Sequence, residues 1–243
     1  MRKIIERAWV RVAAMFAMFT VELLAILAVF VVCIVVFLFL ASKILGGREI
    51  GFDNKAFEFM DSIGSPFLQS VAEFYSFLGS APFITGAAIV LIIYFLFIKK
   101  HRWYSVKVPV IAVGSILLNL VTKFFFHRER PLIPHLVEAS GLSFPSGHSM
   151  EAASFYGLLI YLSWHNIQNR TLHYLVTGLC ILTILLIGCS RVYLHVHYAT
   201  DVLAGFAAGF LWVILGVYGL RRLERYSKRN LNQAVEDAAV KAE

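Results

Sequence analysis

Three short clusters of basic, hydroxyl and imidazole side chains lie at the ends of strongly apolar stretches of this sequence. The first is Lys123, six residues and then Arg130-Pro131; the second is Pro145-Ser146-Gly147-His148; the third is Ser190-Arg191, five residues, His197, three residues and Asp201. Polar groups beside a membrane-like segment are costly unless they serve a site. Because the clusters combine cations with imidazoles, they predict one shared site that handles a phosphate group.

The cations of these clusters suit the transfer of a phosphoryl group. The transition state spreads negative charge over three equatorial oxygens, so a catalyst needs fixed cations and amide donors around them. Lys123, Arg130 and Arg191 are the predicted cations, because arginine binds phosphate bidentately and lysine acts as a point charge. Ser146 and Gly147 stand just ahead of a predicted helix, where backbone amides and the helix dipole favour an anion.

The two histidines of the clusters predict nucleophilic and acid–base chemistry. His197 and Asp201 are four residues apart, so on a helical turn the carboxylate can hold one imidazole nitrogen and leave the other free to attack. His148 is then the predicted acid that protonates the leaving group and the base that later activates water. The sequence has no cluster of carboxylates for a two-metal site, so we expect chemistry without a metal.

The three clusters together resemble the signature of the type 2 phosphatidic acid phosphatase superfamily, which also includes vanadium haloperoxidases and glucose 6-phosphatase. Every motif position between Lys123 and Asp201 matches. The resemblance implies a bacterial membrane lipid phosphatase that needs no cofactor and forms a phosphohistidine. Its implied substrates are undecaprenyl pyrophosphate, phosphatidylglycerol phosphate, phosphatidic acid or a lipid A phosphate.

Two other functions remain open on the same residues. The phosphoryl group could pass from the histidine to a second lipid, which would make the chain a phosphotransferase. Alternatively, the cationic site could only hold a lipid phosphate, as in a transporter or a binding scaffold. The motifs do not separate these alternatives, and they leave the oligomeric state open.

Several polar residues near the clusters receive other predictions. His127, His135 and His195 are placed outside catalysis, and Arg128 and Glu129 are expected in a solvated loop or against a lipid headgroup. Glu151 follows His148 by about one helical turn, where it would tune that histidine or complement the helix N-terminus. Glu22 interrupts an apolar run, so a buried hydrogen-bonding role in packing is expected for it.

The composition indicates that the bilayer is part of the solvent of this chain. Of its 243 residues 59% are hydrophobic and only 15% are charged, which is unusual for a soluble domain of this size. The net charge of +7 does not form one exposed stripe, so a nucleic-acid partner is not expected. Cys33, Cys180 and Cys189 lie in apolar runs without a CxxC pair, which argues against a disulfide framework or a zinc site.

Apolar runs of about 20 residues predict an all-α, polytopic membrane protein with six transmembrane helices. The first run is too long for a cleaved secretory signal, so it is predicted to be a retained helix. The predicted spans are Ala13 to Ala41, Pro82 to Ile98, Ser105 to Phe126, His148 to Trp164, Thr171 to Gly188, and Ala199 to Leu220. Between the first two, Ser65-Pro66 predicts the start of a short helix in the outer interface.

The distribution of lysine and arginine predicts the orientation of these spans. Basic residues gather before the first span, between the second and third, and after the sixth, so both termini are expected in the cytoplasm. The three motif clusters then face the periplasm or the cell exterior, and the membrane is expected to be the bacterial inner membrane. Residues 1–243 are predicted to form one membrane-embedded domain with a cytoplasmic tail from residue 221.

Overall fold

The described part of the chain folds into eight α-helices, and neighbouring helices enclose one of them, the helix Gly147–Asn166. The structure is a computed structural model that describes residues 2–47 and 51–240; side chains are described at 21, 23–47 and 51–231. The helices are α1 Arg2–Leu45, α2 Gly51–Ser62, α3 Pro66–Leu78, α4 Ala81–Ile93, α5 Arg102–Phe126, α6 Gly147–Asn166, α7 Arg170–Tyr193 and α8 Ala199–Val240, with a π-helical turn Tyr94–Ile98 that extends α4. No strand is present in the described part, which confirms the all-α prediction.

Five helical segments are long and apolar enough to cross a membrane. They are Leu23–Leu45, Ala81–Ile98, Arg102–Phe126, Arg170–Tyr193 and Ala199–Leu231. Five of the six predicted spans thus coincide with these segments. The remaining predicted span, His148 to Trp164, lies in α6, which is long enough at 20 residues but is not among these segments. Its crossing of the membrane, like the orientation of the termini, stays a prediction.

Helix α6 is less apolar because protein rather than lipid surrounds it. Its buried positions occur on all sides of the helix and include Ser149, Glu151 and Ser154 alongside Leu158 and Leu162. Helices α5, α7 and α8 all pack against it. A helix in this position does not need a continuous apolar surface, since neighbouring helices replace the lipid.

Two glycines of α8 allow that helix to approach α6 closely. Gly205 and Gly209 form a Gly-x-x-x-Gly pattern, which permits close backbone contact between membrane helices. A Cβ atom at Gly205 would lie 2.6 Å from the Ser146 carbonyl oxygen, and one at Gly209 would lie 2.4 Å from that of Met150. The contact holds the beginning of α6 against the second and third turns of α8.

The segment between α1 and α4 contains two short helices, whereas the sequence predicted one. The predicted helix is confirmed as α3, with Ser65 accepting a hydrogen bond from the Leu68 amide and proline at the first turn. The additional helix α2 packs against α7 and α8. Its apolar residues Phe52, Ala56, Phe59 and Met60 follow helical spacing, although the sequence prediction did not include this helix. Its buried Asp53 is placed beside the motif clusters.

The polar tail predicted from residue 221 continues α8 as a helix without interruption to Val240. Near its start, Glu224 forms an ion pair with Lys107 of α5 at 3.0 Å. The tail therefore begins against the bundle. The Glu22 side chain lies outside the described residues, so its predicted packing role is not addressed.

Candidate active site

All three motif clusters meet at one end of the helix bundle. Lys123 stands in the last turn of α5, and Arg130 lies in the loop that leads from α5 to α6. Ser146 caps α6, which places His148 in its first turn. Arg191 is in the last turn of α7, and His197 lies in the short connection to α8, where Asp201 occupies the first turn.

His197 is buried and is connected to Asp201 through a serine hydroxyl. Nδ1 of His197 lies 3.2 Å from Ser143 Oγ, and that hydroxyl donates a hydrogen bond of 2.5 Å to Asp201 Oδ2. The direct separation of Nδ1 from Asp201 Oδ2 is 3.6 Å. Because Ser143 gives its proton to the carboxylate, its oxygen accepts from a protonated Nδ1. This tautomer leaves the lone pair on Nε2.

The surroundings of His197 keep its imidazole neutral at physiological pH. Burial lowers the pKa of His197 to about 4, although the nearby Asp201 carboxylate opposes the shift. The positive charges of Arg191 and Arg130 add to the lowering of this pKa. A neutral imidazole with a free Nε2 is the form that can act as a nucleophile.

Arg130 stands directly beside the free nitrogen of His197. Its Nη1 lies 3.4 Å from His197 Nε2 and donates a hydrogen bond of 2.6 Å to the Val196 carbonyl. Its Nε and Nη2 donate to the carbonyl groups of Gly141 and Ser140, at 3.0 and 2.9 Å. Burial lowers the pKa of Arg130 while Asp201 raises it, and a guanidinium stays charged at neutral pH.

Lys123 and Arg191 bring two further positive charges to the same place. Lys123 Nζ donates a hydrogen bond of 2.6 Å to the Leu142 carbonyl and interacts electrostatically with Arg130 and Arg191. Arg191 is buried; its Nη1 donates to the Ser76 hydroxyl, and its Nε has no partner among the described residues. Like charges gathered in this way are costly unless an anion joins them.

The second cluster contributes to the site differently from its prediction. The Ser146 amide donates to the Asp201 carbonyl at 3.0 Å, so it is not available to an anion as expected. The Ser146 hydroxyl oxygen instead accepts hydrogen bonds from the amide and the hydroxyl of Ser149, and Ser146 thereby caps α6. The next amides belong to the first turn of α6, where no intrahelical carbonyl can accept from them. A Cβ atom at Gly147 would lie 3.0 Å from Asn119 Oδ1, so the close packing favours glycine.

His148 interacts electrostatically with all the cations of the site and with His197. Within the described residues its imidazole forms no hydrogen bond with another side chain. Glu151 is buried one turn later, and its electrostatic partner is Lys123. The two roles predicted for Glu151, tuning His148 or complementing the helix N-terminus, stay predictions.

Arg128 was predicted in a solvated loop or against a headgroup, and the structure corrects this. Its guanidinium is mostly buried and donates to Asp201 Oδ1 at 2.6 Å, to Thr200 Oγ1 at 2.8 Å and to Asp53 Oδ2 at 3.0 Å. Asp53 in turn accepts from the amide and hydroxyl of Thr200 at 2.9 and 2.8 Å. A network from α2 therefore reaches the carboxylate behind His197.

The three histidines predicted to be outside catalysis are also outside this hydrogen-bonded network. His127 is an exposed residue in the left-handed conformation that ends α5. Nε2 of His135 lies 3.0 Å from the Pro131 carbonyl oxygen. His195 lies between the Pro134 carbonyl oxygen and the Asp61 carboxylate, at 3.0 and 2.8 Å, and so connects the long loop to α2.

The residues that carry this geometry also match a family model. Residues 104–225, half of the chain, match the model described as PAP2 superfamily, the type 2 phosphatidic acid phosphatases. The chain belongs to the PAP2 superfamily. The match includes every predicted site residue, whereas Asp53 lies outside it.

Two curated proteins extend the comparison beyond this PAP2 region. The chain is 35% identical over 157 residues to phosphatidylglycerophosphatase B of Bacillus subtilis (strain 168), covering 63% of this chain and 75% of that protein. It is 29% identical over 119 residues to a candidate undecaprenyl-diphosphatase, YbjG, of Escherichia coli (strain K12), covering 47% of this chain and 56% of that protein.

Two solved PAP2-like structures are similar to this fold. One is the crystal structure of a transmembrane PAP2-type phosphatidylglycerolphosphate phosphatase from Bacillus subtilis, with a TM-score of 0.73 and 30% identity. The superposition covers 81% of this chain and 98% of the Bacillus chain. The other is Aquifex aeolicus LpxE, with a TM-score of 0.52 and 25% identity over 68% of this chain and 93% of that one. With its apolar helices and these relatives, the chain is an integral membrane lipid phosphatase of the PAP2 superfamily.

Proposed function

We propose that this PAP2 protein hydrolyses a phosphomonoester or pyrophosphate on a membrane lipid through a phosphohistidine at His197. The observation that carries the proposal is the hydrogen-bond geometry of His197. Its Nδ1 lies 3.2 Å from the Ser143 hydroxyl in front of Asp201, and its Nε2 lies 3.4 Å from Arg130 Nη1. Because Ser143 donates its proton to Asp201, we assign the imidazole proton to Nδ1 and the lone pair to Nε2. A phosphorus atom held by the nearby cations would face that lone pair.

In the first step, Nε2 of His197 attacks phosphorus while the bond from phosphorus to the lipid oxygen breaks. Arg130, Lys123 and Arg191 stabilise the charge on the three equatorial oxygens, together with the first amides of α6. His148 gives its proton to the departing oxygen. The products of this step are the dephosphorylated lipid, or its monophosphate, and a phosphohistidine.

In the second step, water attacks the phosphorus atom and the bond from phosphorus to Nε2 breaks. His148, now neutral, accepts a proton from the attacking water, and the histidine nucleophile is restored as inorganic phosphate leaves. The cations are side chains throughout, which supports our proposal that no metal ion or cofactor takes part. We assign catalytic roles to His197, His148 and Asp201. The phosphate group is bound by Lys123, Arg130, Gly147 and Arg191, and Ser146 caps the start of α6.

We further propose that α6 also crosses the membrane, as the fourth of six spans, and that the site opens on the periplasmic or extracellular face of the bacterial inner membrane. The basic residues Lys99, Lys100 and Arg102 lie at the turn between α4 and α5, at the end of α5 opposite Lys123. Such a bias favours that end as the cytoplasmic one. The single domain would then span the whole chain, with its C-terminal tail in the cytoplasm.

The proposed substrate is amphiphilic, with its phosphate at the membrane surface and its chain among the helices. Undecaprenyl pyrophosphate and phosphatidylglycerol phosphate are favoured by the names of the relatives. Phosphatidic acid and a lipid A phosphate also present a phosphate that the cation cluster could bind. Each of the four presents a terminal phosphoryl group, on a diphosphate in the first and on a monophosphate in the others, so only a direct comparison will rank them.

The test is phosphate release by the detergent-purified protein from these four lipids in the presence of EDTA. We expect the wild-type protein to release phosphate from at least one lipid and the His197→Ala protein to release none. The control is His127→Asn, which should release phosphate at nearly the wild-type rate. It alters an exposed histidine in a backbone conformation that asparagine tolerates. Persistent turnover in His197→Ala would refute the nucleophile. Transfer of phosphate to a second lipid without release would favour the phosphotransferase, and binding without turnover would favour a transporter or scaffold.

A further inference from the structure

A partly open cavity lined by basic and tyrosine side chains lies at the end of the bundle opposite His197. Its volume is about 500 Å³, enough for a phosphate group with part of a carrier molecule. The walls come from the start of α5, the far end of α6 and the part of α8 beyond the apolar core. The lining side chains are His101, Tyr104, Lys107, Tyr161, Arg221, Glu224, Arg225 and Lys228.

The charge of this cavity is strongly unbalanced. Glu224 is the only carboxylate among the lining residues, and it binds both Lys107 at 3.0 Å and Lys228 at 2.9 Å. Arg221 and Arg225 line the same cavity without a carboxylate of their own among the described residues. Four cations therefore face one anion. The mutual repulsion of the cations is relieved if another anion enters.

Lys107 distinguishes this cavity from an ordinary basic helix end. Its side chain is only 2% exposed and lies 4.9 Å from the centre of the Tyr104 ring and 5.8 Å from that of Tyr161. Basic residues that merely anchor a helix at the membrane surface extend into water or toward headgroups. Lys107 is instead held in the cavity wall by two tyrosine rings and Glu224.

The arginines of α8 are also directed to the cavity by their spacing. Arg221, Arg225 and Lys228 are four and three residues apart and so share one face of the helix, whereas Arg222 and Arg229 do not line the cavity. Arg221 Nε donates a hydrogen bond of 2.9 Å to the Tyr161 hydroxyl, and its Nη2 also contacts the His165 ring. These contacts order the guanidinium at the cavity wall.

We infer that this cavity is a binding site for a phosphate-bearing anion, separate from the catalytic site. Arginine and lysine converging with tyrosine hydroxyl groups match the oxygens of a phosphate ester. The source is either the headgroup of an anionic phospholipid or a free phosphate ion. Neither the binding nor its test depends on the proposed catalytic function, because no residue of the site at His197 takes part.

The experiment compares binding to the full-length protein and two double variants in detergent. Arg221→Gln/Arg225→Gln removes two charges from the cavity, and Arg222→Gln/Arg229→Gln removes the same charge from α8 residues that do not line the cavity. Each protein is titrated with dioleoylphosphatidylglycerol, with dioleoylphosphatidylcholine as the zwitterionic lipid, and with inorganic phosphate. Phosphatidylglycerol is a phosphodiester, so a phosphomonoesterase does not consume it during the titration.

We expect the cavity variant to bind phosphatidylglycerol or inorganic phosphate at least about tenfold more weakly than the wild-type protein, with the control variant unchanged. If only the affinity for phosphatidylglycerol falls, the natural ligand is a lipid headgroup. If the affinity for inorganic phosphate falls, the ligand is the free ion. Equal affinities of the cavity and control variants for both ligands would overturn the inference. Equal melting temperatures of the variants and the wild-type protein establish that the variants are folded. If the double cavity variant unfolds, the single variant Arg225→Gln replaces it in the titrations. Phosphate release, measured on the same preparations, tests the proposed function independently.

Discussion

Ser143 donates a hydrogen bond of 2.5 Å to Oδ2 of Asp201. The same hydroxyl oxygen lies 3.2 Å from His197 Nδ1, so the serine connects the carboxylate to the imidazole. In Ser143→Ala the connection is lost, and either imidazole nitrogen can then carry the proton. We expect kcat for phosphate release to fall about tenfold or more with little change in KM, because orientation and tautomer matter only to the chemical step.

A matched control for this substitution is Ser163→Ala. Ser163 is also buried, but its hydroxyl binds the Ile160 carbonyl within α6, far from the clusters. Its kcat should remain near that of the wild-type protein. A Ser143→Ala protein that is as active as the Ser163→Ala protein would show that Asp201 acts on His197 without the serine.

The ion pairs of Arg128 predict a second effect. Arg128→Gln leaves two buried carboxylates, Asp53 and Asp201, without their cation. We expect a loss of stability of about 3 kcal/mol and a fall in kcat of at least about tenfold. Thermal unfolding in detergent and phosphate release measure the two effects, with Arg170→Gln, an exposed arginine, as the control.

A double-variant cycle separates this network from simple disruption of the fold. If Asp53 acts through Arg128, then Asp53→Asn combined with Arg128→Gln should cost less than the sum of the single losses, since both remove one interaction. Additive losses in stability and kcat would mean that α2 and the long loop contribute independently.

The lowered pKa of His197 predicts the acidic limit of activity. The pKa of about 4 lies below the ordinary value of 6.5, so the imidazole stays neutral as the pH falls from 7 to about 5. Protonation, and with it the loss of the nucleophile, is expected only near pH 4. The measurement is kcat/KM against pH with two lipids whose phosphate groups ionise differently, so that a shared limb belongs to the protein. A shared limb near 6.5 would contradict the prediction.

The same shift affects stability with a defined sign. Above about pH 6.5 the imidazole is neutral in both the folded and the unfolded chain. Between about 6.5 and 4 the unfolded chain binds the proton more readily, so the contribution of His197 to stability decreases as the pH falls through this window. A His197→Gln protein should lose less thermal stability over that interval than the wild-type protein.

The close approach of α8 to α6 predicts a contrast between two glycines. Gly205→Ala would bring a Cβ atom to 2.6 Å from the Ser146 carbonyl, so α6 must shift, at a cost of about 1–3 kcal/mol. Because Ser146 begins the helix that carries His148, kcat should fall as well. Gly219→Ala meets no atom within 4 Å and should be neutral or slightly stabilising. Equal melting temperatures of the two variants would contradict this account.

The sequence predicted those features that depend on local pattern. Apolar runs located five helices that can cross a membrane, and Ser65-Pro66 located the start of α3. The spacing of the three motifs was sufficient to propose one site, and the structure brings Lys123, Arg130, His148 and His197 together. Resemblance to a family contributed most to that prediction, since the individual residues have ordinary alternatives.

What the sequence did not predict depends on contacts between distant parts of the chain. Asp53 is 75 residues from Arg128, and no local pattern in α2 signals a buried carboxylate. Ser143 resembles any loop serine until its place between His197 and Asp201 is known. The Ser146 amide was predicted to face an anion, but the loop geometry directs it to the Asp201 carbonyl. Such pairings arise from the tertiary fold and therefore require a structure.

The hydrogen bonds of Arg130 to the carbonyl groups of Ser140, Gly141 and Val196 also affect the thermodynamics of substrate capture. A free arginine side chain loses much rotational entropy when a ligand orders it. Here that ordering accompanies folding of the loop, before any lipid arrives. The guanidinium can therefore meet an incoming phosphate with little further loss of side-chain freedom, so that more of the binding enthalpy is expressed as affinity.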